Sequence, residues 1–132
     1  MDETRDAGIV LDLIHAAEKI LTFTAHKDKA VFVANAQLVS AVSFEVAVLG
    51  EAAKHLSAHL QSKHSEIPWR KMAGMRDRLI HGYNDIDVDE LWNTAIRDVP
   101  TLLAQLQQNP RRTGPLALGF SHFRGQRRRD FE

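Results

Sequence analysis

The chain has 132 residues, 17 Lys/Arg against 17 Asp/Glu and no cysteine. That length suits one compact domain burying about two-thirds of its unfolded surface, and the missing cysteines exclude a disulfide framework or a thiolate metal site. No apolar leader stands before Ile9, and charges break the apolar stretches short of the roughly 20 residues a membrane span needs, so a soluble, cytoplasmic protein is expected.

Charge is unevenly spread. Arg111, Arg112, Arg124, Arg127, Arg128 and Arg129 face only Asp130 and Glu132, which gives a tail of net +4 on a body, Met1 to Asn109, of net −4. Any role in binding RNA therefore calls for a local basic patch.

In chain order, Val10, Leu13, Ile14, Ala17, Ile20 and Leu21 recur at helical spacing and predict an amphipathic helix over roughly Thr4 to Thr24. Asp28 suits the N-cap of a short helix through Val33, and Asn35 the cap of the next. Leu38, Val42, Leu49, Ala53, Leu56 and Leu60 then predict one long helix running to His64-Ser65, a bundle spine or dimer seam. Pro68 fits the first turn of a third helix, which the pattern extends to about His81, with Gly82 as its left-handed terminator. Asp87-Val88-Asp89-Glu90 has the form of a capping box opening a fourth helix, with Val88, Leu91, Ala95, Val99, Leu102 and Leu106 as its apolar stripe and Pro100 as a bend. No segment has strand period. The expected fold is an all-α up-and-down bundle over residues 1–108, with a basic Pro/Gly/Arg-rich tail, expected to be flexible, over 109–132.

The third helix carries the candidate chemistry. On a helical wheel Met72, Met75 and Leu79 form its core stripe, while Asp77 and His81, four apart, fall together on the other side. A carboxylate beside an imidazole fixes its tautomer and favours its protonated form, which makes Asp77 a candidate orienter for a general base at His81. Arg76 lies about 140° from His81 around such a helix. Both can grip one small group only if the helix end unwinds or a second chain contributes. The same residues also describe a plain helix end, with histidine in the last turn, glycine after it and Tyr83 closing the cap. A further constellation, Glu51, His55 and His59 at four-residue steps, resembles half of a metal site, but H-x3-H with no third fixed ligand is common on solvated helices and no metal is expected.

The segment Arg76-Asp77-Arg78-Leu79-Ile80-His81-Gly82-Tyr83 matches the R-x4-H-x-Y signature of HepT-type HEPN proteins. Its flanks match too: Leu49-Gly50-Glu51-Ala52-Ala53-Lys54, then Ile67-Pro68-Trp69-Arg70-Lys71-Met72-Ala73-Gly74-Met75, then Asp85-Ile86-Asp87 and Leu91-Trp92. Several blocks in the right order, spanning roughly Asp6 to Gln107, are far more specific than one short pattern. On these residues the chain resembles the HepT ribonuclease toxins of HEPN/nucleotidyltransferase toxin–antitoxin pairs. The resemblance implies a homodimer whose paired motifs cut RNA, either tRNA or mRNA, without metal or cofactor. His81 would be the general base, Arg76 the charge stabiliser, and Arg78, Arg70 and Lys71 the phosphate-holding groups. It also implies that Tyr83 receives AMP from a cognate minimal nucleotidyltransferase antitoxin. The chain departs from its relatives at Ser43-Phe44-Glu45, where members often carry arginine. The alternative is a noncatalytic HEPN module that binds RNA or a nucleotidyltransferase.

Overall fold

The computed structural model describes residues 2–82 and 85–108; Tyr83 and the tail from 109 onward lie outside the described residues. The first helix, α1 (Asp2–Thr24), turns its stripe of Val10, Leu13, Ile14, Ala17 and Ile20 into the core. It is followed by His26 in the left-handed conformation, φ 60°. Asp28 caps α2 (Lys29–Ala34) by accepting from the Val31 N–H, and Asn35 caps α3 (Ala36–Lys54) by accepting from the Leu38 N–H, as the sequence predicts.

The long second helix is corrected. It stops at Lys54, and a separate α4 (Ala58–Lys63) begins after Ser57. The break is held from far away in sequence. The Ser57 N–H donates to Asp6 Oδ1 at 3.0 Å and its hydroxyl to Asp6 Oδ2, while Ser57 Oγ accepts from the Leu60 N–H. A buried carboxylate on α1 thus stabilises the start of α4. The break also ends the Glu51, His55, His59 stripe, since His59 belongs to α4 and His55 to the end of α3. Among the described residues no group of three or more His, Cys, Asp or Glu is placed to hold a metal.

Helix α3 forms the spine, packing on α1 and on the short helices α5 (Trp69–Ala73) and α6 (Met75–Leu79). By length and composition it is apolar enough to cross a membrane, contrary to the expectation from charge spacing. Its apolarity is that of a core helix: Val42, Val46, Leu49 and Ala53 are buried against its neighbours.

The third helix is also shorter than its pattern suggests. It breaks at Gly74 and ends at Leu79, and a two-stranded antiparallel hairpin follows, β1 (Ile80–Gly82) pairing with β2 (Asp85–Ile86). The all-α class holds with this one small addition. The hairpin closes on the Asp87 N–H donating to Leu79 O at 2.9 Å.

Asp87 then caps α7 (Val88–Asn93) by accepting from the Glu90 N–H at 3.1 Å. Its own N–H is spent on Leu79, so the reciprocal half of a capping box is not made. A π-helical turn, Thr94–Asp98, joins α7 to α8 (Val99–Gln108), with the Val99 N–H reaching back to Thr94 O. Pro100 has no N–H to give the carbonyl four residues back, and this widened turn just before it is where the strain of that proline is taken up. Leu91, Ala95, Val99, Leu102 and Leu106 are buried as expected, and α8 closes the bundle against α1.

Candidate active site

The segment from Trp69 to Ile86 is anchored from below. The Trp69 and Met72 side chains of α5, and those of Met75 and Leu79 of α6, are buried, and the Trp69 indole N–H donates to His64 O at 3.0 Å. Met72 and Met75 are 0% and 1% exposed, core residues as their spacing predicts. What lets this segment lie so close to α3 is Gly50. A Cβ at that position would stand 3.2 Å from Ala73 O and 3.6 Å from Arg76 Cβ. Gly50 is therefore the seat on which the Arg76 end of α6 rests, a role its place in the sequence block does not reveal.

Arg76 is half-exposed, and its guanidinium meets the Asp77 carboxylate at 3.1 Å. The expected pairing of Asp77 with His81 through a helical i, i+4 geometry is not formed, because the helix ends at Leu79 before His81 is reached. Asp77 instead pairs with Arg76 beside it. The left-handed role expected of Gly82 is corrected as well, since no described glycine has positive φ and Gly82 lies in β1.

The unwound helix end was one of the two conditions under which Arg76 and His81 can serve one group. Ile80 still donates its N–H to Arg76 O, closing the last helical turn, and the chain then turns extended. Ile80 packs against the core, and side chains alternate along a strand, so the exposed His81 is carried on the solvent side of the hairpin. A cation and an imidazole therefore stand accessible on either side of one helix end. A solvent-facing histidine on an open hairpin is also free to take its contacts from a second molecule.

The basic residues assigned to phosphate binding do not share one helix as expected. Arg70 and Lys71 lie on α5, Arg76 and Arg78 on α6, with the Gly74 break between. All four are exposed, with Arg76 paired to Asp77. In the segment where the resemblance leads one to expect arginine, Ser43 and Glu45 are buried on α3 while Phe44 is 65% exposed.

Comparison with known proteins gives a consistent result. A family model described as "Ribonuclease HepT-like" matches residues 13–109. Among curated proteins, "Probable ribonuclease HepT" of Thermococcus cleftensis is 37% identical over 97 residues, 74% of this chain and 88% of that protein. "Putative RNase TTE0752" of Caldanaerobacter subterraneus is 36% identical over 58% of this chain and 69% of its own length. "Putative RNase MJ0125" of Methanocaldococcus jannaschii is 32% identical over 76% and 87% respectively. No solved structure matches the chain. The matched region contains α3, the Gly50 seat and the whole Arg76 to His81 segment, and the chain belongs to the HepT-like ribonuclease family, a HEPN domain.

Proposed function

We propose that this protein is a metal-independent endoribonuclease, the cytoplasmic toxin of a toxin–antitoxin pair, acting as a homodimer on tRNA or mRNA. The observation that carries the reading is the pair Arg76 and His81, both exposed, on either side of the helix end at Leu79. In the proposed reaction neutral His81 takes the proton of a ribose 2′-OH, the 2′ oxygen attacks the adjacent phosphorus, and the 5′ oxygen of the next nucleotide leaves, taking a proton from water. The products are a 2′,3′-cyclic phosphate and a 5′-OH. Negative charge grows on the phosphate oxygens during this step, and Arg76 is the fixed cation beside them. Arg78, Arg70 and Lys71 hold the strand by its phosphates, contacts that position without reading sequence.

A second motif end in the partner protomer supplies further groups to the same cleft, which suits a histidine presented outward on a hairpin. Tyr83 follows directly on β1 in sequence, so AMP transferred to it by a cognate minimal nucleotidyltransferase adds a phosphodiester charge and bulk two residues from the base. An anionic substrate is then excluded sterically and electrostatically.

The test is RNA cleavage by wild type and His81→Ala, with product ends identified. General-base removal is expected to lower the rate by at least about a hundredfold. Equal cleavage by both proteins, or none by either, rejects the enzyme and leaves the noncatalytic binding module. Incubation of the same proteins with the cognate transferase and ATP gives a mass increase lost in Tyr83→Phe if the antitoxin works through that tyrosine.

A further inference from the structure

The seam between α1 and α3 opens to solvent as a groove of about 430 Å³ that the catalytic reading does not use. Val48 and Ala52, which line it, stand about 160° around α3 from Gly50, so the groove lies apart from the side on which α6 rests. Ala16, Val48 and Ala52 make its walls apolar, joined by Phe44, the most exposed large apolar side chain among the described residues. The charges are unequal. Asp12, Glu45 and Glu51 face a single lysine, Lys19, with His15 and His55 completing the polar lining among the described residues. Lys19 pairs with Glu45 at 3.9 Å, which leaves Asp12 and Glu51 in excess. Asp12 is exposed, and Glu51 meets Lys54 and His55 only through exposed pairs of 3.9 and 3.6 Å, of the kind that contribute little. An apolar groove with an open ring and surplus carboxylates fits a cation that has a flat face. The guanidinium group is that cation, since it stacks on aromatic rings and forks onto carboxylates.

The chain carries such groups close by. Residues 110–132 lie beyond the stretch that the family model matches, and they hold six arginines against Asp130 and Glu132. They also set out from beside the groove. Helix α8 packs on α1, and the Gln107 amide nitrogen reaches the carboxylate of Glu18, the neighbour of Lys19, at 3.5 Å. Arg111 and Arg112 follow Gln107 by four and five residues, at most about 18 Å of chain. Asp12 lies seven residues from Lys19, about 10 Å along α1, so the whole groove is within their reach. A tether this short supplies an effective concentration in the mM range, enough to fill a site whose separate contacts are weak. We infer that the α1–α3 groove is the docking site of this chain's own arginine segment, with the guanidinium groups of Arg111 and Arg112 against Phe44, Asp12 and Glu51. Docked there, the segment sets its positive charge against the acidic body and away from the α5–α6 face, and it must leave the groove before it can meet a polyanion. The inference is independent of the ribonuclease reading.

The test uses the full chain with 13C-labelled alanine and valine methyls, compared with the same chain carrying Arg111→Gln and Arg112→Gln. The Ala16, Val48 and Ala52 methyls are expected to differ in shift between the two, and 1 M NaCl should move the wild type toward the variant. The comparison is repeated in a background of Asp12→Asn, Phe44→Leu and Glu51→Gln, where the effect of the arginines should fall to near zero, as a double-mutant cycle requires of groups in contact. Glu51→Gln alone serves if the triple background does not fold, and it should at least halve the effect. No shift difference at the three methyls, or a difference that persists unchanged in these backgrounds, overturns the inference. The chain has no cysteine, so Gly114→Cys gives one site for a nitroxide label. Within one chain the label should broaden the three groove methyls of the wild-type background more than those of the triple background. If instead it broadens them only in a mixture of spin-labelled chains with separate isotope-labelled chains, the occupant is the segment of a second copy and the docking within one chain is overturned.

Discussion

Glu45 is a carboxylate on the spine helix, its side chain 9% exposed, with the Lys19 ammonium 3.9 Å away. It stands in a groove between α1 and α3 shared with Asp12, His15, Glu51 and His55. Burial raises its pKa above the usual 4.5, and the attraction of Lys19 only partly opposes this. The folded protein therefore prefers the neutral acid, and the unfolded chain loses its proton first. Stability from this preference is fully present below pH 4.5 and is lost as pH rises through the folded-state value. Glu45→Gln is expected to raise the Tm by a few degrees at pH 7 and to give no gain near pH 4, measured by thermal denaturation at the two pH values. Glu45 thus carries a cost in the folded chain at neutral pH. At the candidate active site the residue scale shows something the sequence hides. Asp77 and His81 look like a pair when counted along a helix, and are separated because the helix is not there to hold them.

The two described helical glycines with the clearest contrast lie on α1 and α3. A Cβ on Gly8 meets nothing within 4 Å, whereas one on Gly50 runs against the backbone of Ala73. Gly8→Ala should stabilise the protein by about 0.5–1 kcal/mol through helix propensity alone. Gly50→Val should cost about 1–3 kcal/mol by overpacking, and it should reduce RNA cleavage beyond that loss, since it moves the Arg76 end of α6. Chemical denaturation and a cleavage assay on the two variants check both halves. The elements themselves were legible wherever a local signal sets them: the caps at Asp28, Asn35 and Asp87 each accept the N–H their sequence promises. The breaks were not. Leu56 and Leu60 keep the apolar spacing of α3 across a gap, and the contact that opens α4 comes from Asp6, 51 positions away. Strands of three and two residues are too short to show a period, so the hairpin holding His81 reads as the end of a helix. Arg76 and His81 were singled out through the ordered family blocks.

At the scale of the whole molecule, the body is net acidic while its candidate substrate is a polyanion, so the proposed binding would have to be gathered on the α5–α6 face, which carries Arg70, Lys71, Arg76 and Arg78. In the proposed dimer, two copies of that face around one cleft would double the local charge. If dimerisation builds the active cleft, specific activity should fall on dilution through the dimer dissociation constant and recover on addition of a His81→Ala partner with its own Arg76 intact; activity per chain that is independent of concentration down to a demonstrated monomer counts against it. The hairpin contributes a different property. It is held by its own short ladder, by the Ile80 N–H on Arg76 O and the Asp87 N–H on Leu79 O, and by Ile80 and Ile86 resting on the edge of the core. Such a unit opens on its own, well below the free energy of global unfolding. Native-state hydrogen exchange should find the amides of Ile80–Gly82 and Asp85–Ile86 released through small local openings while those of Val46 and Leu49 wait for the whole bundle to melt. The histidine that would draw the proton is mounted on a part of the protein able to rearrange around a bound strand at little expense to the fold.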